Sequence, residues 1–318
     1  MIKTQQLIHA KALIEHGTFG RAAQAQNISR PAFSRSIANL ENTLGVKLFH
    51  RHSTGVTETV FGQILNKYIH QFLTTTSELE REIRIAQGLG MGKLSVALGP
   101  FPAEISAHRA VGRLISEFPD LRCKVTVSDW MEVEKLVVAR SADLGIAEIS
   151  EANKNKYLEI EPLVKHKCVL FCRSDHPLLR KKKITKKDID SYPFVLIKIG
   201  KRLASVIPGK LFPVENKDYL LPSIEIEDIT LSRQIVSESD AFSAATPFQI
   251  KSDLEKGTFS VIPFEAPWLV TNYGFMYLRD RALSPAAEKY MNVVREIERD
   301  VEVRNQALLK RYLSKESV

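Results

Sequence analysis

The sequence is short of cysteine, of long apolar runs and of metal-binding clusters, and each absence removes a class of protein. Three cysteines, Cys123, Cys168 and Cys172, in 318 residues cannot staple a fold, which excludes disulfide-built scaffolds. No apolar run approaches the ~18 to 20 residues that a bilayer span requires. The opening MIKTQQLIHAKALIEHG lacks the apolar core and cleavage site of a secretory signal. A cytoplasmic protein with no membrane partner is therefore expected. No His, Cys, Asp or Glu group stands at metal-ligand spacing. Ser174-Asp175-His176 is contiguous, so its side chains cannot converge as a catalytic triad. The expectation is no enzyme, no catalytic residues, no metal and no cofactor.

What the chain does have is basic charge, unevenly spread. Lys and Arg number 45 against 37 Asp and Glu, a net +8. Residues 1–58 carry net +4, residues 59–91 are neutral, and the remaining +4 is diluted over 92–318. A basic excess concentrated in a small module suits phosphate contact. At this length two or three domains are expected.

The first sixty residues read as two short helices, a tight turn and a third helix. Leu7, Ala10, Leu13 and Ile14 share one helical face. Gly17 ends that helix and Thr18 caps the next, where Ala22, Ala23 and Ala25 allow close helix approach. After a turn at Asn27-Ile28, Ser29 is a second N-cap and Pro31 sits in the first turn. The third helix, about 30–44, turns Phe33, Ile37, Leu40 and Leu44 inward and leaves Arg30, Ala32, Ser34, Arg35 and Ser36 outside. Arg can take guanine O6 and N7 together, Ala or Pro can touch a thymine methyl, and Ser can bond phosphate or base. Lys47-Leu48-Phe49, a loop His50 to Gly55 and Val56-Thr57-Glu58 then read as a β wing bearing Arg51 and His52. The competing reading is a three-helix protein-interaction module.

Residues 1–65 resemble the DNA-binding domain of the LysR-type transcriptional regulators. The likeness rests on Thr18-Phe19-Gly20-Arg21-Ala22-Ala23, on Ser29-Arg30-Pro31-Ala32-Phe33-Ser34-Arg35-Ser36-Ile37, on Leu40-Glu41, on Leu44 to Arg51, and on Thr57, Thr59 and Gly62. The family usually has Gln where Arg30 stands, which bears on base preference. The resemblance implies a winged helix-turn-helix over 1–58 that contacts double-stranded DNA through Thr18, Arg21, Ser29, Arg30, Pro31, Ala32, Ser34, Arg35, Ser36, Arg51 and His52.

From 59 to 90 the chain reads as a long linker helix. Leu65, Ile69, Phe72, Thr76, Leu79, Ile83 and Ala86 follow the alternating spacing of four and three of a coiled-coil seam. One reading packs this stripe on its own domain. The other, which the resemblance favours, pairs it across a homodimer or homotetramer, so that two heads read two half-sites of a pseudo-palindrome. Gly88-Leu89-Gly90-Met91-Gly92-Lys93 is a hinge: a phosphate loop would need glycine where Gln87 stands.

Beyond it strands and helices alternate, with strands expected at 94–98, 124–127 and 144–149 and helices at 104–118 and 132–140, which predicts a parallel α/β sheet. The pattern resumes through strands at 168–172, 194–197, 224–226, 241–245, 259–262 and 273–278, a helix at 230–238, and a last helix near 285–311. Ala142 to Ile146, Asp175-His176-Pro177-Leu178 and Ala244-Ala245-Thr246-Pro247 resemble stretches of the family's effector-binding domain. That implies a two-lobed, periplasmic-binding-protein-like α/β domain over 93–305, with lobe I at 93–162 and 268–305, lobe II at 163–267, and an extension at 306–318.

Such folds hold a ligand at the strand ends between lobes. The residues expected there are Pro100, Phe101, Pro102, Ser128, Asp129, Trp130, Lys198, Ile199, Gly200, Thr246 and Pro247. Lys198, Lys201 and Arg202 favour an acidic effector or are only solvated; Phe101 and Trp130 favour an apolar or aromatic one, or a self-filled cleft. Cys168 and Cys172, four apart on a strand, read as core rather than as a redox pair. The run Arg180 to Lys183, with Lys186 and Lys187, reads as a solvated loop or a second DNA contact. The expected whole is a transcriptional regulator whose partners are double-stranded DNA, an unidentified small-molecule effector, copies of itself and RNA polymerase.

Overall fold

A computed structural model describes residues 2–52, 55–86, 92–150, 155–200, 206–217 and 219–313. The chain divides into two compact units, Met1–Leu89 and Gly90–Val318.

In the first unit, α1 (Thr4–His16), α2 (Phe19–Ala25) and α3 (Arg30–Leu44) are delimited by their caps. The Thr18 hydroxyl accepts the Arg21 N–H at 3.3 Å, and the Ser29 hydroxyl accepts that of Ala32 at 3.4 Å. Leu7, Ala10, Leu13, Ala22, Ala23, Phe33, Ile37 and Leu40 form the core, joined by Leu48 and by Ile69 of α4 (Val60–Ala86). Two expected inward residues are outside: Ala25 and Leu44 are exposed. At the end of α3 the inward position falls to Glu41 instead, which is 4% exposed. Its Oε1 accepts the N–H groups of Leu48 and Phe49 at 2.9 and 3.4 Å, and Lys47 Nζ donates to its Oε2 at 2.9 Å. A buried carboxylate is tolerated because backbone donors and a cation satisfy it. It ties the wing to α3.

The wing is an antiparallel pair, β1 (Phe49–His52) and β2 (Gly55–Glu58), with Phe49 opposite Glu58 and His52 opposite Gly55. Its strands run further than expected, so Arg51 and His52 lie on strand rather than in the loop. The loop residues Ser53 and Thr54 lie outside the described residues. The Val56 N–H reaches the Gly17 carbonyl at 2.9 Å, and a Cβ on Gly55 would stand 2.7 Å from that oxygen. Where α4 begins, Thr59 bonds Lys47 O and caps Gly62, and a Cβ on Gly62 would collide with the Leu48 carbonyl.

In the second unit, β3 (Lys93–Leu98), β4 (Arg122–Val127), β5 (Leu144–Glu148) and β6 (Leu158–Pro162) share one sheet with the late strand β15 (Tyr273–Leu278), in the order β4-β3-β5-β15-β6. The first three are parallel, but β15 runs antiparallel to both neighbours. The three strands expected to be parallel are parallel, and the sheet as a whole is mixed because the chain re-enters it after a long excursion. β6 is an addition to the expected strands: Leu-Glu-Ile-Glu-Pro is a charged edge strand without an apolar run.

The excursion builds a second set of strands. β7 (Val169–Arg173) lies between β13 (Ser243–Ala245) and β14 (Phe259–Val261), antiparallel to both. β8 (Val195–Leu196) pairs parallel with β12 (Ile224–Glu225), and β9 (Ile199–Gly200), β10 (Phe212–Pro213) and β11 (Tyr219–Leu221) make a small sheet. Phe194 and Phe242 stack at 4.7 Å in its core. Lys167 and Val270 form an antiparallel bridge between the two connecting segments.

Helices differ from expectation mainly at their starts. α5 (Pro100–Pro102) leads through a π turn, Ala103–Ala107, into α6 (His108–Glu117), so helix begins four residues early. Proline in a first turn forgoes only an N–H that would have no helical partner. α7 (Trp130–Val138) likewise starts early, capped by Asp129, whose carboxylate accepts the Met131 and Glu132 N–H groups at 2.9 and 3.1 Å. α8 (Lys186–Ile189), α9 (Ile229–Ser237), α10 (Lys251–Lys256) and α11 (Pro285–Leu313) complete the unit. Among the described residues no helix is long and apolar enough to cross a membrane.

Candidate nucleic-acid interface and effector cavity

On α3, Arg30, Pro31, Ala32 and Arg35 are exposed and Ser34 is half-buried. Positions 30, 31, 34 and 35 share one side of a helix. Arg21 stands exposed on α2. Arg51 lays its guanidinium 4.6 Å from the centre of the Phe19 ring, which brings the wing to the start of α2. Among the described residues Arg21, Arg30 and Arg35 carry no ion pair, so their charge is free for a polyanion. The His52 ring bonds the Thr57 hydroxyl at 2.9 Å across the wing. Ser36 faces inward instead: its hydroxyl meets His9 Nδ1 at 2.7 Å, tying α3 to α1. Burial lowers the His9 pKa, which keeps the ring neutral. Thr18 and Ser29 hydroxyls are occupied as caps, leaving their remaining lone pairs.

The linker stripe splits. Ile69 is 1% exposed and, with Leu65 and Leu73, completes the core of the head. That part of the stripe packs on its own domain. Phe72, Leu79 and Ile83 are 48%, 59% and 48% exposed, and the apolar surface continues toward the head through Phe61, Ile64 and Tyr68. The free seam is thus shifted by one residue in its first two turns, from Leu65 and Ile69 to Ile64 and Tyr68. The reason is geometric: residues 65, 69 and 73 recur every four along the side that meets α1. Thr76 is half-buried and bonds the Phe72 carbonyl at 3.0 Å. The side chain of Ala86 and the hinge residues 88–91 lie outside the described residues.

The second unit contains a cavity of about 140 Å³. Of the residues expected in a cleft, Pro100, Phe101, Pro102, Trp130, Lys198, Ile199 and Gly200 line it. Asp129 stands behind them, its Oδ2 accepting from Lys198 Nζ at 3.1 Å. Ser128, Thr246 and Pro247 do not reach the wall; the Thr246 hydroxyl turns to Gln249 at 3.0 Å. Lys201 and Arg202 lie outside the described residues. The wall also includes residues not expected there, among them Glu148, Ser150, Cys168, Ala244, Thr271, Asn272 and Tyr273. Several of them come from the return crossover, whose approach is set by tertiary pairing and leaves no local pattern.

Burial is the largest single influence on both Asp129 and Lys198 and opposes their charge. Their mutual hydrogen bond and attraction, with the Met131 and Glu132 N–H groups on Asp129 and Glu225 near Lys198, together outweigh it and hold the carboxyl below and the ammonium above their ordinary values. A second bridge joins Arg233 of α9 to Glu104, which also accepts from Gln249 at 2.7 Å. Burial pushes the Cys168 and Cys172 thiols up to about 12, so neither is a thiolate at neutral pH. In the basic run, Lys181 pairs with Asp188 at 2.5 Å and Lys186 with Asp190 at 3.3 Å.

Behind Tyr273 lies a buried polar cluster that no motif announces. The His166 ring donates from Nε2 to Glu298 at 2.5 Å and from Nδ1 to Glu302 at 2.7 Å. Glu298 also accepts from the Tyr273 hydroxyl at 3.0 Å and from Ser106. Burial works against a charged imidazole, but Glu298 and then Glu302 together raise its pKa. The His166 N–H is accepted by Thr271 Oγ1 at 2.9 Å, so the cluster sits on the connection between the two sets of strands.

Residues 4–63 match the family described as bacterial regulatory helix-turn-helix protein, lysR family, and residues 87–298 match the LysR substrate binding domain. The chain is 32% identical over 295 residues to an SDS degradation transcriptional activation protein of Pseudomonas sp. (strain ATCC 19151), covering 91% of this chain and 94% of the relative. It is 26% identical to the HTH-type transcriptional regulator GbpR of Azospirillum brasilense, covering 92% and 86%. Among solved structures, full-length CbnR complexed with its target DNA shares the fold at a TM-score of 0.65 and 16% identity, covering 93% of this chain and all of that one. A full-length OxyR variant from Pseudomonas aeruginosa shares it at 0.61 and 17%, covering 95% and 97%. The chain belongs to the LysR family of DNA-binding transcriptional regulators, and is not an enzyme.

Proposed function

We propose that residues 1–58 read a pseudo-palindromic double-stranded site through Arg30, Pro31, Ala32, Ser34 and Arg35, with Thr18, Arg21, Ser29, Arg51 and His52 on the flanking backbone. Ser36 serves the fold of the head more than the contact. The observation that carries this reading is the exposed N-terminal half of α3, whose arginines have no partner among the described residues. Residues 59–90 pair two copies, as a homodimer or within a homotetramer, along Phe72, Leu79 and Ile83 extended by Ile64 and Tyr68. A second copy covers that seam at a gain of about 1.5–3 kcal/mol for each large side chain buried. Residues 93–305 form the effector domain, and its last helix continues to Leu313. A small molecule in the cavity shifts the balance of conformations and so the regulator's action with RNA polymerase in the cytoplasm.

Mobility-shift titration against random and genomic fragments tests the first claim. Saturable binding to a subset, lost in Arg35→Ala, is expected. Equal, unsaturable binding to all sequences that ignores Arg35→Ala defeats it. Light scattering of Leu79→Glu, expected to read as monomer, tests the seam.

A further inference from the structure

Lys198 is the one cation among the described residues that line the cavity. It is already held by two carboxylates, Asp129 Oδ2 at 3.1 Å and Glu225 Oε1 at 4.0 Å, and its Nζ lies 5.2 Å from the centre of the Tyr219 ring. Glu148 adds a third carboxylate, on the wall itself. Among the described residues its hydrogen bonds come from the Ser150 N–H, the Ser150 hydroxyl and the Asn272 amide, and all fall on Oε1. Oε2 therefore keeps its accepting capacity. Among the described residues, one cation against three carboxylates leaves the surroundings negative. A bound acid would bring a fourth negative charge into a partly dry site with no unmatched cation among the described residues to receive it. The rest of the wall is largely apolar, including Phe101, Trp130, Ile197, Ile207 and Leu269. The free volume of about 140 Å³ is close to that of cavities, about 150 Å³, that stay dry and accept benzene.

We propose, building on the reading of this cavity as the effector site, that it takes a ring-sized apolar molecule bearing a hydrogen-bond donor, an alcohol or an amine, and rejects carboxylic acids. The donor meets Glu148 Oε2 while the apolar body displaces little ordered water. Lys198 and Asp129 act as a latch that joins the two sets of strands, and the ammonium is not an anion receptor.

Isothermal titration of the full-length chain with benzyl alcohol, benzylamine and benzoate, matched in size, tests this. The alcohol or the amine is expected to saturate at least tenfold more tightly than benzoate. Whichever of the two binds better identifies a neutral or an ammonium donor. Asp129→Asn, which leaves Lys198 only the longer contact to Glu225, is expected to strengthen benzoate binding at least tenfold, and Glu148→Gln to weaken benzylamine. Ile197→Trp fills the cavity and is expected to abolish every isotherm, with thermal melting as the check that it folds. Benzoate binding as tightly as the alcohol in the unsubstituted chain overturns the exclusion of acids, and its loss in Ile197→Trp would leave the effector reading standing. Binding that survives Ile197→Trp overturns the cavity itself as the site. No saturable binding by any probe overturns the ligand class. Should Ile197→Trp not fold, the reversal of preference in Asp129→Asn decides the question alone.

Discussion

The recognition surface of the head and the interior of the effector domain use positive charge differently. In the head, Arg21, Arg30 and Arg35 stand exposed with no acidic partner among the described residues. In the effector domain, Lys198 is held by Asp129, Arg233 by Glu104, and Arg295 by both oxygens of Glu161 at 2.6 and 2.7 Å. An unpaired surface cation keeps its charge for a partner that arrives from outside, and DNA supplies a dense row of phosphates. A paired one is spent on holding elements together. The head is built to be completed by its ligand, whereas the cations named in the effector domain are already matched by carboxylates.

The sharpest way to break this contrast is to remove charge where it is structural. Glu298→Ala strips His166 of a buried partner and is expected to destabilise the effector domain by about 3–5 kcal/mol. Chemical denaturation reads the loss, and the head should not share it. The same cluster sets a pH dependence. The His166 pKa is raised on folding, so its contribution is full below the unfolded value near 6.5 and is lost as pH climbs through the folded value. Stability should therefore decline above about pH 6.5, and His166→Gln should flatten that slope. A flat profile in the unsubstituted chain would remove the imidazolium from the account.

Charge in the head should behave differently. Arg35→Ala is expected to weaken operator binding by about 1–3 kcal/mol, the worth of one bidentate base contact, with little change in melting. A fall in melting without a fall in affinity would reverse its assignment. Smallest of all, Ser36→Ala breaks the bond to His9 and should lower the stability of the head by about 0.5–1.5 kcal/mol while leaving its affinity for DNA near the original. A selective loss of DNA binding would return Ser36 to the contact surface.

Legibility in the sequence varies with the range of the interactions. α3 spans the residues its caps and Pro31 announce, because Ser29 and the first turn interact within three positions. β15 likewise covers the expected 273–278. Glu41 enters the sequence reading only through the resemblance, since its partners at Leu48 and Phe49 form a turn away. The seam on α4 lies one residue from its expected place in the first half of the helix. Periodicity shows that a helix has an apolar side but not how much of that side its own domain consumes. The three strands read from alternating strands and helices are parallel, but the antiparallel β15 beside them has no sign in that alternation, since strand direction depends on where a distant segment returns.

The residues alone determined the three helices of the head, the long helix α4 and the α/β character of the second unit. Local capping, turn chemistry and apolar period suffice for these. Tertiary structure alone decided that Lys198 faces Asp129 across 69 positions of chain, that Glu148 and Tyr273 share one cavity wall, and that His166 meets Glu298 across 132. Burial and charge pairing are properties of neighbours in space. Side chains so far apart in sequence carry no local sign of each other until the crossovers bring them together.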